Sequence, residues 1–464
     1  MLASQMTRAL WQALEGNAAP PAPLSFQAEG GLPSTFAVTD LASASIAAAG
    51  SATAALLIRA GLRPGALQVD RRLASFWFSW SLRPQGWTLP PLWGDIAGDY
   101  ATRDGWIRLH TNAPHHRAAV VRVLGALASR EETAARVATW NKAELEHAVV
   151  AAGGCAAEMR SLDEWRAHPQ GQALAEQELV WSQERAIGPA PAWTPTLERP
   201  LAGVKVLDLT RVLAGPVASR FLAGLGAEVL RIDPPGWDEP GVIPEVCLGK
   251  RCARLDLKDP PGRERFAELL RHADVLIHGY RADALENLGF DAEVLQDLAP
   301  GLVDVSLNAY GWSGPWRNRR GFDSLVQMST GIADAGMRWR QADKPVPLPV
   351  QALDHATGYL MAAAALCGLG RRLSSGRGST WRLSLARTAQ FLVEQGTQAQ
   401  ALPALAAEAP ADLDPAVEET AWGPAQRLHP PLLLQGSPLQ WGLPAPALGS
   451  SPPYWPGEVQ SAGR

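Results

Sequence analysis

From residue 201 the chain alternates apolar, β-branched runs with amphipathic segments, and this alternation constrains the fold more than any other feature. VKVLDLT (204–210), AEVLRID (227–233), ARLDLK (253–258), VLIHGY (275–280) and LVDVSLNAYG (302–311) read as strands. GPVASRFLAGLG (215–226), PGRERFAELLRH (261–272) and ADALENLG (282–289) read as the helices between them. Strands alternating with helices build βαβ units and a largely parallel sheet covered by helices, so the expected class is α/β.

The rest of the chain divides around this unit. GPAPAWTPTLERP (188–200) is Pro-rich and reads as a linker. Residues 95–187 read as a smaller α/β domain, with a strand at DGWIRLH (104–110) and helices at AAVVRVLGAL (118–127) and ELEHAVVAAG (144–153). Residues 1–94 form a mixed N-terminal segment. Within it a short helix is expected around Leu10–Leu14, a buried helix of small apolar residues at 41–62, and a strand-like run opening 66–80. The large domain is expected to run from 201 to 401. Residues 402–464, rich in Ala, Pro and Leu, are expected to be mostly irregular and wrapped over the surface.

One internal similarity links the ends of this scheme. IAAAGSATAALLIRAGLR (46–63) resembles HATGYLMAAAALCGLGRR (355–372), each a small-residue helix followed by a strand-like run. Counting back four residues from the helix glycine reaches Asp354 in the second copy and Ile46 in the first. On that alignment the first copy carries no acid, and residues 1–94 read as a degenerate part of the large domain.

Composition narrows the function classes. Lys and Arg number 42 against 46 Asp and Glu, a net charge of −4, so there is no basic surplus for a nucleic-acid backbone. No run of about 18 uncharged apolar residues is present, and no membrane span or signal peptide is expected. Cys155, Cys247, Cys252 and Cys367 form no C-x-x-C pair, which favours reduced thiols and a cytoplasmic location. No H-E-x-x-H motif or Cys/His cluster occurs, so no metal is expected; no G-x-S-x-G elbow occurs either. His115 and His116 read as a solvated loop or a partner surface. The 18 tryptophans fit an apolar acyl pocket or simple core packing.

Three local patterns carry possible chemistry. Gly224-Leu225-Gly226 follows a helix and precedes a strand, the reverse of a dinucleotide fingerprint, and reads as a helix stop. Gly215-Pro216 follows the first strand, where a helix start either stands alone or offers N–H groups to an anion. Asp354 ends an extended run directly before a helix of small residues. That position suits a helix cap, and equally a carboxylate nucleophile held by the helix N-terminus. Asp323 follows Arg317, Arg319 and Arg320, as a surface ion-pair cluster or as an acid near a phosphate-binding loop.

LAGVKVLDLTRVLAGPVASRFLAGLGAEVLRID resembles the opening of the family III CoA-transferases. The resemblance continues through KRCARLDLK, ADVLIHGYRADALENLGF, YGWSGPWRNRRGFDSLVQ, ALDHATG and SSGRGSTWRLSL, over about 200–395. Residues 95–185 more loosely resemble the family's small domain, although here it precedes the large one. The resemblance implies a Rossmann-like large domain, a smaller α/β domain and an interlocked homodimer. It implies no permanently bound cofactor. A coenzyme A thioester is the substrate, and CoA passes from an acyl-CoA to a carboxylic acid. The family's D-x-x-x-G motif matches Asp354 and Gly358, with Asp354 as the attacking carboxylate and Asp323 assisting beside it. CoA-contacting positions fall on Leu213, Ala214, Leu255, Lys258, Gly279, Tyr280, Arg281 and Arg320. Arginines that the family often has fall here at Pro234 and Asn287. Racemases of the same fold use a His before the acid where this chain has Phe322, which disfavours α-proton exchange. The remaining alternative is a non-catalytic CoA-binding protein.

Overall fold

The computed structural model describes residues 2–16, 18–280, 283–398 and 402–457. The N-terminal segment contributes α1 (Leu2–Glu15), β1 (Leu24–Gln27), α2 (Val38–Arg59), β2 (Leu67–Asp70), α3 (Arg71–Trp77) and β3 (Leu82–Pro84). A smaller unit follows, with β4 (Gly98–Ala101), β5 (Trp106–Leu109), α4 (Pro114–Leu124), α5 (Arg130–Val137), α6 (Lys142–Ala151) and β6 (Ala156–Glu158). Then come α7 (Leu162–Ala167), α8 (Pro169–Ala175) and β7 (Trp181–Ile187). The alternating region supplies β8 (Lys205–Leu209), α9 (Ala214–Gly224), β9 (Glu228–Asp233), α10 (Ile243–Val246), β10 (Lys250–Arg254), α11 (Pro260–Arg271) and β11 (Val275–His278). It continues with α12 (Ala292–Leu298), β12 (Val303–Asn308), α13 (Asp323–Ser329), α14 (Ile332–Arg340), α15 (Ala352–Ser375), β13 (Arg377–Ser384) and α16 (Leu385–Glu394). Short strands β14 (Glu418–Thr420), β15 (Gly423–Arg427) and β16 (Leu432–Leu434) close the chain.

The main sheet has seven strands in the order β10-β9-β8-β11-β12-β13-β7. All neighbours are parallel except β7, which lies antiparallel to β13. Numbered from β8, the six parallel strands run 3-2-1-4-5-6, the doubly wound order. β8, β11 and β12 are buried along nearly their whole length, as strands covered on both faces must be. The chain reverses direction across the sheet between β8 and β11, and ligands in such folds bind in the crevice at the carboxyl ends of those strands.

Three expectations are corrected. The third strand lies at 250–254, not 253–258, because Lys250–Arg254 pairs in register with Val229–Asp233. Residues 283–289 hold one turn of 3₁₀ helix, Glu286–Leu288, in place of a longer helix. Residues 402–457 are not merely irregular: β14 and β15 join β3 in one sheet, and β16 joins β2 in another. Gly226 does stop its helix, in the left-handed region at φ 109°.

The internal similarity is real in three dimensions, but with a different register. Ala37 and Gln351, the residues before α2 and α15, share one unusual conformation (φ −78°, ψ 61° and φ −74°, ψ 64°). In both copies the first helical N–H folds back onto the carbonyl two residues earlier, Val38 onto Phe36 and Ala352 onto Val350. A strand and a capped helix follow each, with Asp70 and Ser384 as the caps. β16 lies antiparallel to β2 as β7 does to β13. The counterpart of Asp354 is therefore Asp40, each the third residue of its helix, and not Ile46. Asp40 is bonded by Arg71 Nη1 at 2.7 Å and by the Ala3 N–H at 3.1 Å, which makes it a structural carboxylate.

α2 is long and apolar enough to cross a membrane by length and composition, yet 94% of its most apolar window is buried, packed against α15 and α1. Glu245 ties three segments together. It accepts from the Ser81 and Leu82 N–H groups at 3.1 and 3.0 Å, from Arg220, and from Arg427 at 3.2 Å. Its side chain is 1% exposed. Glu245→Gln removes the counter-charge of buried Arg220 and leaves Arg427 with Glu418 alone. It should lower stability by about 3–5 kcal/mol in chemical denaturation; a loss near zero would show that the three segments hold together without it.

Candidate active site

Two cavities meet at the start of α15. The larger, of about 490 Å³, occupies the crevice at the carboxyl ends of β8 to β12. The smaller, of about 190 Å³, lies on the other side of the α15 N-terminus. Val212, Phe322 and Asp354 line both.

Asp354 is not the cap of its helix. The first N–H groups of α15 are capped from outside by Asp323, the first residue of α13. Asp323 Oδ2 accepts from Leu353 N–H at 2.8 Å and Asp354 N–H at 3.0 Å. Its Oδ1 accepts from the Gln327 side-chain amide, whose own oxygen accepts the Leu348 N–H at 2.7 Å. The Asp354 carboxylate is left with no hydrogen-bond donor among the described residues, facing the cavities. Burial and the Asp323 charge together push its pKa well above the usual carboxylate range. Asp323 is pushed to about 6 by burial, opposed by the N–H groups it accepts. Two carboxyl groups this close titrate as a pair, and Asp323, with three donors, is the better site for the negative charge.

Gly358 lies one turn after Asp354 on the same helix face. A Cβ there would sit 2.4 Å from the Ala214 carbonyl oxygen and 2.9 Å from Val217 Cβ, so its absence lets α9 start beside Asp354. The loop between β8 and α9 is strained: Val212, a β-branched residue, sits at φ 65°. Its N–H is held by Glu239 at 2.8 Å, and Glu239 by Arg231 at 2.8 Å. Beneath the loop, buried Asp208 is bonded by Lys250 at 3.1 Å and by Ser219 and Thr210.

Of the residues singled out from sequence, Ala214, Leu255, Lys258, Gly279, Tyr280, Arg320 and Asp354 line the larger cavity. Leu213 and Asp323 face the smaller one. Arg281 lies outside the described residues. The His115–His116 pair lies in the first turn of α4, with His115 exposed and His116 buried. Both rings line the larger cavity, and His116 is 3% exposed with Nε2 3.5 Å from Cys155 Sγ. Burial, then the neighbouring His115 and Arg320, push His116 down to about 4.

Arg211 and Trp237 were not anticipated. The Arg211 guanidinium lies 4.6 Å over the Trp237 ring and 5.9 Å from the Tyr280 ring. Arg211 directly follows the first strand of the alternating region, and that position at a doubly wound switch point is the signal that would have found it. Trp237 carries no such signal. The cavity mouth thus combines Arg211, Lys258 and Arg320 with two aromatic faces, a donor set suited to an anionic ligand with a flat group. Arg319 is already committed, to Glu146 at 2.9 Å and to the Trp316 face.

The smaller cavity has aromatic walls. Phe322 is stacked on His110 with centroids 3.7 Å apart, and Phe78 on His355 at 5.1 Å. His355 lines this cavity. Burial first, with nearby cationic groups, pushes both His110 and His355 down to about 3, so both rings are neutral near pH 7.

The family model described as CoA-transferase family III matches residues 201–449. An acyl-CoA transferase of Gibberella moniliformis is 33% identical over 255 residues, 52% of this chain and 44% of that one. The succinyl-CoA:glutarate CoA-transferase of Homo sapiens is 34% identical over 193 residues, 39% of this chain and 44% of that one. A succinyl-CoA–D-citramalate CoA-transferase of Chloroflexus aurantiacus is 32% identical over 194 residues, 39% of this chain and 48% of that one. The chain spans less than half the length of these relatives.

Gly358→Ala forces a methyl group against the α9 backbone. It should cost about 2 kcal/mol or more in stability. An unchanged unfolding midpoint would mean that α9 can withdraw from α15 freely.

Proposed function

The chain belongs to CoA-transferase family III, and we propose that it moves CoA from an acyl-CoA thioester to a carboxylic acid, with Asp354 as the nucleophile. The carrying observation is the Asp354 carboxylate, without a donor among the described residues, at the junction of a cation-edged cavity and an apolar one.

In this reading the larger cavity takes CoA. Arg211, Lys258 and Arg320 face its phosphates, and Trp237 and Tyr280 cover its flat or apolar parts. The thioester carbonyl lies at Asp354 and the acyl tail enters the smaller cavity. The carboxylate attacks the carbonyl carbon, the C–S bond breaks, and its electron pair leaves on sulfur as CoA thiolate. The product is an aspartyl–acyl anhydride. The thiolate attacks the aspartyl carbonyl, expels the donor acid as its carboxylate and leaves an aspartyl-CoA thioester. The acceptor carboxylate attacks that thioester and releases CoA thiolate again. The thiolate then takes the acceptor's acyl carbon, restoring the Asp354 carboxylate. No external acid or base is consumed.

Asp323 is a positioning residue here: it holds the first turn of α15 and sets the charge beside the nucleophile. The neutral, weakly basic His110 and His355, with Phe322 in place of a histidine, support transfer over α-proton exchange. The homodimer implied by the resemblance and the cytoplasmic location read from the cysteines belong to the same proposal.

Incubation with a panel of acyl-CoAs, followed by intact mass and hydroxylamine trapping, tests the nucleophile. An adduct or hydroxamate on Asp354, absent from Asp354→Ala, is the expected result. CoA binding without any adduct would leave a binding protein.

Only the ionised carboxylate attacks, and its pKa is raised, so adduct formation should rise with pH as Asp354 loses its proton. Asp323→Asn keeps an acceptor for the two helix N–H groups but removes the negative neighbour. The rise should therefore move to lower pH in that variant. A midpoint that stayed in place or moved up would count against the coupling of the two acids.

A further inference from the structure

The smaller cavity points to a substrate class. Resting on the reading of Asp354 as the transfer site, we infer that this protein selects acyl groups with a compact, uncharged apolar tail and rejects dicarboxylic ones. Its apolar walls are Phe78, Trp80, Val212, Val242 and Phe322, with Trp93 at the mouth, and its polar lining includes Asn112, Ser324, Gln351 and the neutral His110 and His355. Among the described residues no Lys or Arg lines it, and the two charged groups that do, Asp323 and Asp354, are both acids. The nearby cation Arg108 does not line the cavity: it pairs with Asp99 at 2.8 Å and lies 4.7 Å over the Trp93 ring. A second carboxylate on the acyl tail would be buried without a counter-ion and beside two acids, which is strongly unfavourable.

Size narrows the class further. An apolar cavity of about 150 Å³ accepts benzene, and this one is about 190 Å³. A phenyl ring or a branched chain of comparable bulk fits, whereas a long unbranched chain overfills it. Leu92 and Trp93 stand 40% and 37% exposed at the rim, an apolar pair that an entering apolar tail would cover. Trp93 is held edge-on against His110 at 5.7 Å, so the lip is fixed over the pocket. Phe78, Trp80, Leu92 and Trp93 all come from the N-terminal segment. That segment supplies two of the apolar walls and the rim, and its own Asp40 is withdrawn into an ion pair.

The test uses Asp354→Asn, which binds donors without reacting, and compares phenylacetyl-CoA with succinyl-CoA by calorimetry. Phenylacetyl-CoA should bind at least tenfold more tightly, and the added substitution Trp93→Ala, at an exposed position that leaves the core intact, should erode that preference. Equal or tighter binding of succinyl-CoA overturns the inference. Wild-type trapping on the same two donors separates the two readings. An Asp354 adduct formed faster from succinyl-CoA upholds the nucleophile and sinks the pocket. A tenfold binding preference with no adduct upholds the pocket and sinks the nucleophile.

Discussion

The site depends on one interaction, the capping of α15 by a carboxylate from another helix. A helix start leaves several N–H groups without partners, and a side chain just before the helix usually accepts them. Here Gln351 makes no such side-chain bond, and Asp323 accepts the Leu353 and Asp354 N–H groups from the start of α13. The Asp354 side chain is thereby released from structural duty. The same contact puts a second acid against it and raises its pKa. It also fixes the distance between α13 and α15, hence the width of the space where the two cavities join.

The first copy of the repeat illustrates the alternative. Asp40 occupies the position of Asp354 but is spent on Arg71 and the Ala3 N–H. α1 packs along α2, and Ala44 stands where the second copy has Gly358. Without that glycine and an external cap, the acid is absorbed into the core. The N-terminal segment is nevertheless bound into the molecule. α2 lies along α15, β16 returns from the C-terminal segment to pair with β2, and Glu245 joins Ser81, Arg220 and Arg427. β7, from before the linker, adds the antiparallel edge of the main sheet.

Legibility followed the range of the signals. The strand–helix alternation after residue 201 is local, and it was readable with boundaries a few residues off. Asp354 and Asp323 were readable from short local motifs, whereas Ala214, Leu255, Lys258, Gly279, Tyr280 and Arg320 came from the family resemblance. Failures came where the deciding contact is distant in sequence. The burial of His116 was not legible because residues packed around the pair, Arg320, Phe322 and Trp237, lie over 100 positions away. Residues 402–457 lack periodicity because their short strands are specified by partners at 67–70 and 82–84. The repeat was aligned on a glycine that packs for different reasons in its two places: Gly50 admits Leu432 and Leu67, whereas Gly358 admits α9. Only the matching backbone at Ala37 and Gln351 corrected the register.

The amino-acid sequence settled the α/β class, the largely parallel sheet and the acid before a small-residue helix, because local periodicity and turn chemistry encode them. It also determined that no cation stands in the short segments at 78–80 and 92–93, though not that those segments meet. Tertiary structure alone decided which acid is free and which is tied. It alone brought Trp80 and Trp93 across to Phe322, and divided the space around Asp354 into a cation-edged cavity and an apolar one. Those outcomes follow from contacts that range from 30 positions apart, between Asp323 and Leu353, to far longer separations, and no local pattern carries their geometry.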